Sequence, residues 1–218
     1  MSVRTALALL GLLCALVWWQ ATRAPTAPAT TPARGIAATA AGSRCPMPPR
    51  TARGAAPLQS EAPAGLALPA IGNASLKPLA GFSVEARVLG REDYRLGREA
   101  DYSPTDLALG WGRMTDDAVL SRLQISQGGR WYRYSWHEAP PIPVDEIVRS
   151  SANMHLIPAD DVVAAALRRI ERGQRVRIDG WLVEVDAGDG WRWRSSLTRD
   201  DSGGGACELV YVCSITRE

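Results

Sequence analysis

No aromatic residue occurs between Ala21 and Ala80, a stretch rich instead in alanine, proline and threonine. Such a segment buries too little apolar surface to offset its ordering entropy, so residues 23–80 read as a disordered linker. Histidine is scarce. His137 and His155 are the two in the chain, and neither HxH nor HxxxH spacing occurs, which removes an ordinary zinc site. A phosphate-cradling loop and a GxSxG nucleophile elbow are both absent. No pattern calls for a metal or a cofactor, so none is expected, and no internal repeat is present. Positive charge is also missing where a nucleic-acid binder needs it. The net charge is +2, but Arg4, Arg23, Arg34, Arg44, Arg50, Arg53 and Lys77 face only Glu61 in residues 1–80. Residues 81–218 are therefore net −4, and nucleic acid is not the expected partner of an acidic domain.

What is present begins with an export signature. Arg4 precedes an uncharged run from Thr5 to Thr22 whose apolar heart is Ala6–Trp19. As a helix this run spans about 27 Å, close to a hydrocarbon core of about 30 Å. Trp18 and Trp19 suit the far interface. Cleavage signals are poor: Thr22-Arg23-Ala24 would leave Pro25 after the cut, and Cys14 follows Leu13 rather than a small residue. Residues 1–22 thus read as a signal-anchor crossing the inner membrane once. The linker would hold the C-terminal domain about 40 Å out in the periplasm. A cleaved signal would instead release the domain there.

Residues 81–218 carry the folded part, centred on Gly173–Leu197. Val176 and Ile178 alternate with Arg175, Arg177 and Asp179 as in a half-buried strand. The alternation slips at Gly180, which predicts a bulge. Asp186–Gly190 supplies a hairpin turn before Trp191 and Trp193. A strand is expected over Phe82–Val88, a solvated loop over Arg91–Asp101, and a short helix from Ser103-Pro104 through Leu109. Further helical turns are expected from Thr115 to Leu123 and from Val144 to Ser150. Gly128-Gly129 is a turn, Arg130–Trp136 a strand, and Asn153–Pro158 irregular or a short strand. Asp160 caps the best helix, with Val163, Ala166, Leu167 and Ile170 as its stripe and Gly173 as its stop. A last strand covers Ala206–Ile215. The fold class is α+β, a small curled antiparallel sheet or OB-like barrel with a few short helices.

Two residues carry candidate catalysis. His155 lies between elements, and Cys207 follows a run of three glycines, so the two form a candidate base and nucleophile. A hydrogen-bonded structural histidine and a small core cysteine are the plainer readings. Cys207 and Cys213 lie about 20 Å apart if on one strand, beyond disulfide reach. With Cys45 they make an odd number outside the anchor, which leaves one unbridged or bridged between molecules. Candidate binding residues are Asp106, Trp111, Asn153, His155, Arg194 and Arg199, on loops around Ser103–Trp111, Asn153–His155 and Arg194–Ser202. Trp191, Trp193 and the aromatics of Trp131–Trp136 suit stacking on bases or sugars, but their alternation suits cross-strand packing as well.

The stretches Tyr102–Gly112 (YSPTDLALGWG), Ser151–Pro158 (SANMHLIP) and Gly205–Val212 (GACELVYV) together resemble a family of uncharacterised exported or membrane-anchored bacterial proteins. The resemblance covers Phe82 to Ile215. It implies one coherent domain and adds no catalytic residue. The expected function is a membrane-tethered periplasmic binding or assembly module for an envelope protein or small ligand. The alternative is a small hydrolase or transferase using Cys207 and His155. A weaker one is an OB-like domain binding nucleic acid or glycan.

Overall fold

A computed structural model of the chain describes residues 45–198 and 206–218. The expected anchor, the first part of the expected linker and Arg199 lie outside the described residues.

The first strand, β1 (Leu58–Glu61), pairs antiparallel with β2 (Ser75–Asp93), the longest element. A short helix, α1 (Arg98–Tyr102), leads to β3 (Thr105–Gly110), which pairs with the C-terminal part of β2. A 3-10 turn (Gly112–Thr115) and α2 (Asp117–Leu120) precede a separate hairpin of β4 (Gln124–Gly128) and β5 (Trp131–Ser135). Then come α3 (Val144–Arg149), β6 (Ser151–Pro158) and α4 (Asp161–Leu167). The chain closes with β7 (Arg175–Asp186), β8 (Arg192–Arg194) and β9 (Glu208–Arg217). In the seven-stranded sheet the order is β1-β2-β3-β6-β9-β7-β8, and β2 also pairs with β7. The pairings therefore run from β2 through β3, β6, β9 and β7 back to β2. The β6–β9 pair is parallel, and the other pairs of this circuit are antiparallel.

The main core gathers on one side of this curled sheet. Phe82, Val84, Leu107, Leu109, Leu156, Ile178 and Val210 are fully buried there, with Val163, Leu167 and Ile170 packed on them from α4 and its exit. The Asp160 side chain accepts from the Val163 amide at 2.8 Å, so the expected cap starts α4. The helix ends at Leu167. Gly173 (φ 91°) belongs to the turn beyond it, where its amide donates to Val88 at 2.8 Å. The phase slip at Gly180 is a register shift in the β7–β9 ladder. A Cβ there would overlap the Tyr211 carbonyl, so only glycine lets the two backbones approach this closely.

Three expectations are corrected. Thr105–Gly110 is a strand buried at every position, not a helix opened by Ser103-Pro104. A strand covered on both faces needs an unbroken apolar run, and Leu107-Ala108-Leu109 supplies one that outweighs the local cap signal. The charged stretch before it, read as a loop, holds the end of β2 and α1. The described part of the linker is also ordered. Cys45 is bonded to Cys213, with 5.3 Å between their Cα atoms, and the Trp181 indole donates to the Pro46 carbonyl at 2.7 Å. The Thr51 amide donates to Ser83 Oγ at 2.9 Å, and Arg50 pairs with the buried Asp179 at 3.0 Å. Composition failed here because it counts only the segment's own apolar surface. The strap borrows the outer face of β2, β7 and β9, and covalent and polar contacts hold it there.

A third cluster joins α2, α3 and the β4–β5 hairpin. Met114 and Ile147 are fully buried, and Tyr132, Tyr134 and Trp136 pack on them. Burial pushes the Tyr132 phenol up to about 12. Its proton is held in the folded state after the unfolded chain has lost it at about 10. The stabilising contribution is thus complete below pH 10 and is lost as pH rises through about 12. Tyr132→Phe should remove about 2–3 kcal/mol of that alkaline loss. Urea midpoints at pH 9 and above pH 11 for both proteins test it; parallel pH curves would refute a buried phenol.

Candidate functional site

The strand register places three of the expected binding residues together. Asp106 on β3 is the direct cross-strand partner of His155 on β6, and Ala108 is the partner of Asn153. Directly paired residues share a face, as do positions two apart along a strand. Asp106, Asn153 and His155 therefore line one patch of the outer sheet face, opposite the main core. All are buried: Asp106 is 0 % exposed, Asn153 4 % and His155 4 %.

Asp106 is the centre of the patch. Its Oδ1 accepts from Arg130 at 2.6 Å, and its Oδ2 accepts from Asn153 Nδ2 at 3.2 Å. His155 Nδ1 stands 2.9 Å from Oδ2, a close electrostatic contact lacking the alignment of a hydrogen bond. Gln127 of β4 donates to Asn153 Oδ1 at 2.7 Å. Arg130 stands between β4 and β5 with φ 68°, and its guanidinium also donates to the Ser103 carbonyl at 2.9 Å. The Arg130 amide donates to Tyr94 Oη at 2.8 Å, and its carbonyl accepts from Asn153 at 3.2 Å. Burial raises the Tyr94 phenol above its ordinary value.

Aromatic rings roof this cluster. Trp193 of β8 lies 4.9 Å from the His155 ring and 6.2 Å from Trp191, and Trp191 stacks on Tyr102 at 5.7 Å. Arg98 lies over Trp191 at 5.4 Å and pairs with Asp189 at 3.0 Å. Asp189 accepts the Trp191 amide and lies below its usual range, mainly through that bond. The roof thus belongs to the connections β2–β3 and β7–β9.

The remaining expected residues lie elsewhere. Trp111 is 5 % exposed and packs in the main core, so its ring is not offered at the surface. Arg194 is exposed and pairs with Glu184 at 2.8 Å on β7. Cys207 is half-buried, immediately before Glu208, the parallel partner of Met154. It precedes the ladder by one residue, two positions along the chain from Leu209, the parallel partner of His155. Its Sγ is 3.8 Å from the Arg130 carbonyl. The structure also brings in Arg130, Tyr94 and Gln127, which sequence reasoning left out, and the backbone carbonyl of Ser103, whose loop was expected at the surface. The one signal available was Arg130 following Gly128-Gly129, where a turn places a long side chain at a hairpin tip. Among the described residues no cluster of three His, Cys, Asp or Glu side chains could hold a metal ion.

Compared with known proteins, the chain matches no family model, no curated protein and no solved structure.

Proposed function

We propose that this chain is a membrane-tethered periplasmic binding module that recognises an envelope protein or small ligand with the outer face of β3 and β6. The observation that carries the reading is the Asp106–Arg130–Asn153–His155 cluster. Buried charge on the solvent side of a sheet is costly, and packing alone would favour apolar residues there. Support for an OB-like barrel comes from the circuit of pairings, the parallel β6–β9 pair and α4 lying against the main core between β6 and β7. Barrels of that kind bind on this face and on the loops that flank it. The Cys45–Cys213 bond suits an oxidising compartment, in keeping with the export signature of residues 1–22.

Hydrogen exchange on the full chain, with and without short peptides, oligosaccharides and oligonucleotides, tests the reading. Ligand-dependent protection is expected in Thr105–Gly110 and Ser151–Pro158. Protection confined to the Ser75–Ala86 stretch would place the binding surface elsewhere and sink the proposal. Retention on DNA or RNA that falls steeply with salt would favour the nucleic-acid alternative.

A small hydrolase or transferase is the second reading, and Asp106 is the observation in its favour. A carboxylate beside Nδ1 is the usual orienting partner of a base that activates a thiol. His155→Ala should then slow alkylation of Cys207 by iodoacetamide near neutral pH. An unchanged rate removes that reading.

A further inference from the structure

Arg130 is the one non-glycine residue with positive φ among the described residues, at 68°. It occupies the tip of a hairpin that forms its own two-stranded sheet. Among the described residues that hairpin meets the Asp106 face through side-chain hydrogen bonds rather than a backbone ladder. The recess that receives its guanidinium is built by other elements. The Tyr94 ring lies 3.8 Å away, Trp193 5.5 Å away, and Asp106 and the Ser103 carbonyl accept its protons at 2.6 and 2.9 Å. An aromatic face, a buried carboxylate and a carbonyl in one recess are the chemistry that recognises a guanidinium.

We propose that this recess is a guanidinium-binding site, filled in the free protein by the chain's own Arg130. An arginine of a partner, or a small guanidinium compound, takes Arg130's place when the hairpin tip moves out. The exchange swaps one guanidinium for another, so Asp106 is not left unpaired and most of the penalty of opening a buried ion pair is avoided. Releasing the tip also lets Arg130 leave a left-handed backbone that disfavours side chains with a Cβ. Binding is weakened by the fraction of molecules in which Arg130 stays in place, so removing Arg130 should strengthen it. The inference rests on the β3–β6 face as the binding surface and names the chemistry of its ligand.

The test is a titration of the full chain, followed by tryptophan fluorescence and calorimetry. The probes are methylguanidinium and capped Gly-Arg-Gly, with capped Gly-Lys-Gly as control. Wild type should bind an arginine probe saturably and the lysine peptide at least tenfold more weakly. Arg130→Gly, which removes the side chain and suits φ 68°, should bind at least tenfold more tightly than wild type. Asp106→Asn should bind at least tenfold more weakly. Saturation by methylguanidinium points to a small-molecule source, and saturation by the peptide alone to an arginine within a chain. No response in wild type overturns the inference, even if Arg130→Gly binds, because Arg130 would then be a fixed clamp. Ligands that still protect β3 and β6 in that case leave the binding-face reading standing. Loss of both removes the two together.

Discussion

Removing the Cys45–Cys213 bond by the double change Cys45→Ser and Cys213→Ser is expected to cost about 2–5 kcal/mol of folding stability. The bridge joins residues 168 apart in sequence, so it restricts nearly the whole unfolded domain. A chain-entropy argument puts so long a loop at the upper end of the range. In the folded state the loss falls on the strap. Arg50 is the cation that reaches Asp179, which is 1 % exposed, and the other Asp179 oxygen accepts from Ser83 at 2.7 Å. A loosened strap would leave that carboxylate with a hydroxyl but no cation. The Trp181 indole would lose Pro46 as its acceptor. The expected shift in Tm is on the order of 10 °C. Urea unfolding of the double variant and of reduced wild type should agree, whereas Cys207→Ser should stay near wild type. A double variant within about 1 kcal/mol of wild type would mean that the polar contacts hold the strap without the bond.

The parts of this fold legible in the sequence are those whose signals are local. Asp160 caps a helix three residues from the amide it accepts, and Gly180 marks a bulge by a change of alternation around it. The turn at Asp186–Gly190 joins strands that pair directly. What stayed hidden depends on distant partners. The Met154↔Glu208 pairing spans more than fifty residues of chain, and nothing in either segment names the other. β3 was mistaken for helix because its burial on both faces comes from neighbours that the local sequence does not contain. The strap was mistaken for linker for the same reason. The site shows the same division. Asp106, Asn153 and His155 read as binding candidates on separate loops, but their meeting depends on the β3–β6 register. Arg130 read as the start of a strand, and only the hairpin's docking turns it into the partner of Asp106.

Asp106→Ala is expected to destabilise the domain by about 3–5 kcal/mol, because it leaves a largely buried guanidinium without its carboxylate. The Arg130 side chain is 19 % exposed, and its other charge-satisfying contacts are the Ser103 carbonyl and the ring faces of Tyr94 and Trp193. Asn153 would also lose an acceptor, and His155 the anion beside Nδ1. Much of that loss measures an abandoned charge rather than the net worth of the pair. A second comparison separates the two. Replacing both charges with apolar groups of similar size, Asp106→Leu with Arg130→Met, should recover most of the stability lost by Asp106→Ala, since no ion is then stranded. Asp106→Asn should fall between them, keeping an acceptor for Arg130 and losing the charge. Urea unfolding of the four proteins gives the ordering. An Asp106→Ala variant within about 1 kcal/mol of wild type would mean that water reaches Arg130 freely, and the recess would not be a built site. A stable double variant that no longer binds the arginine probe would show the pair kept at a cost in stability for recognition. A double variant as unstable as Asp106→Ala would show it kept for the fold.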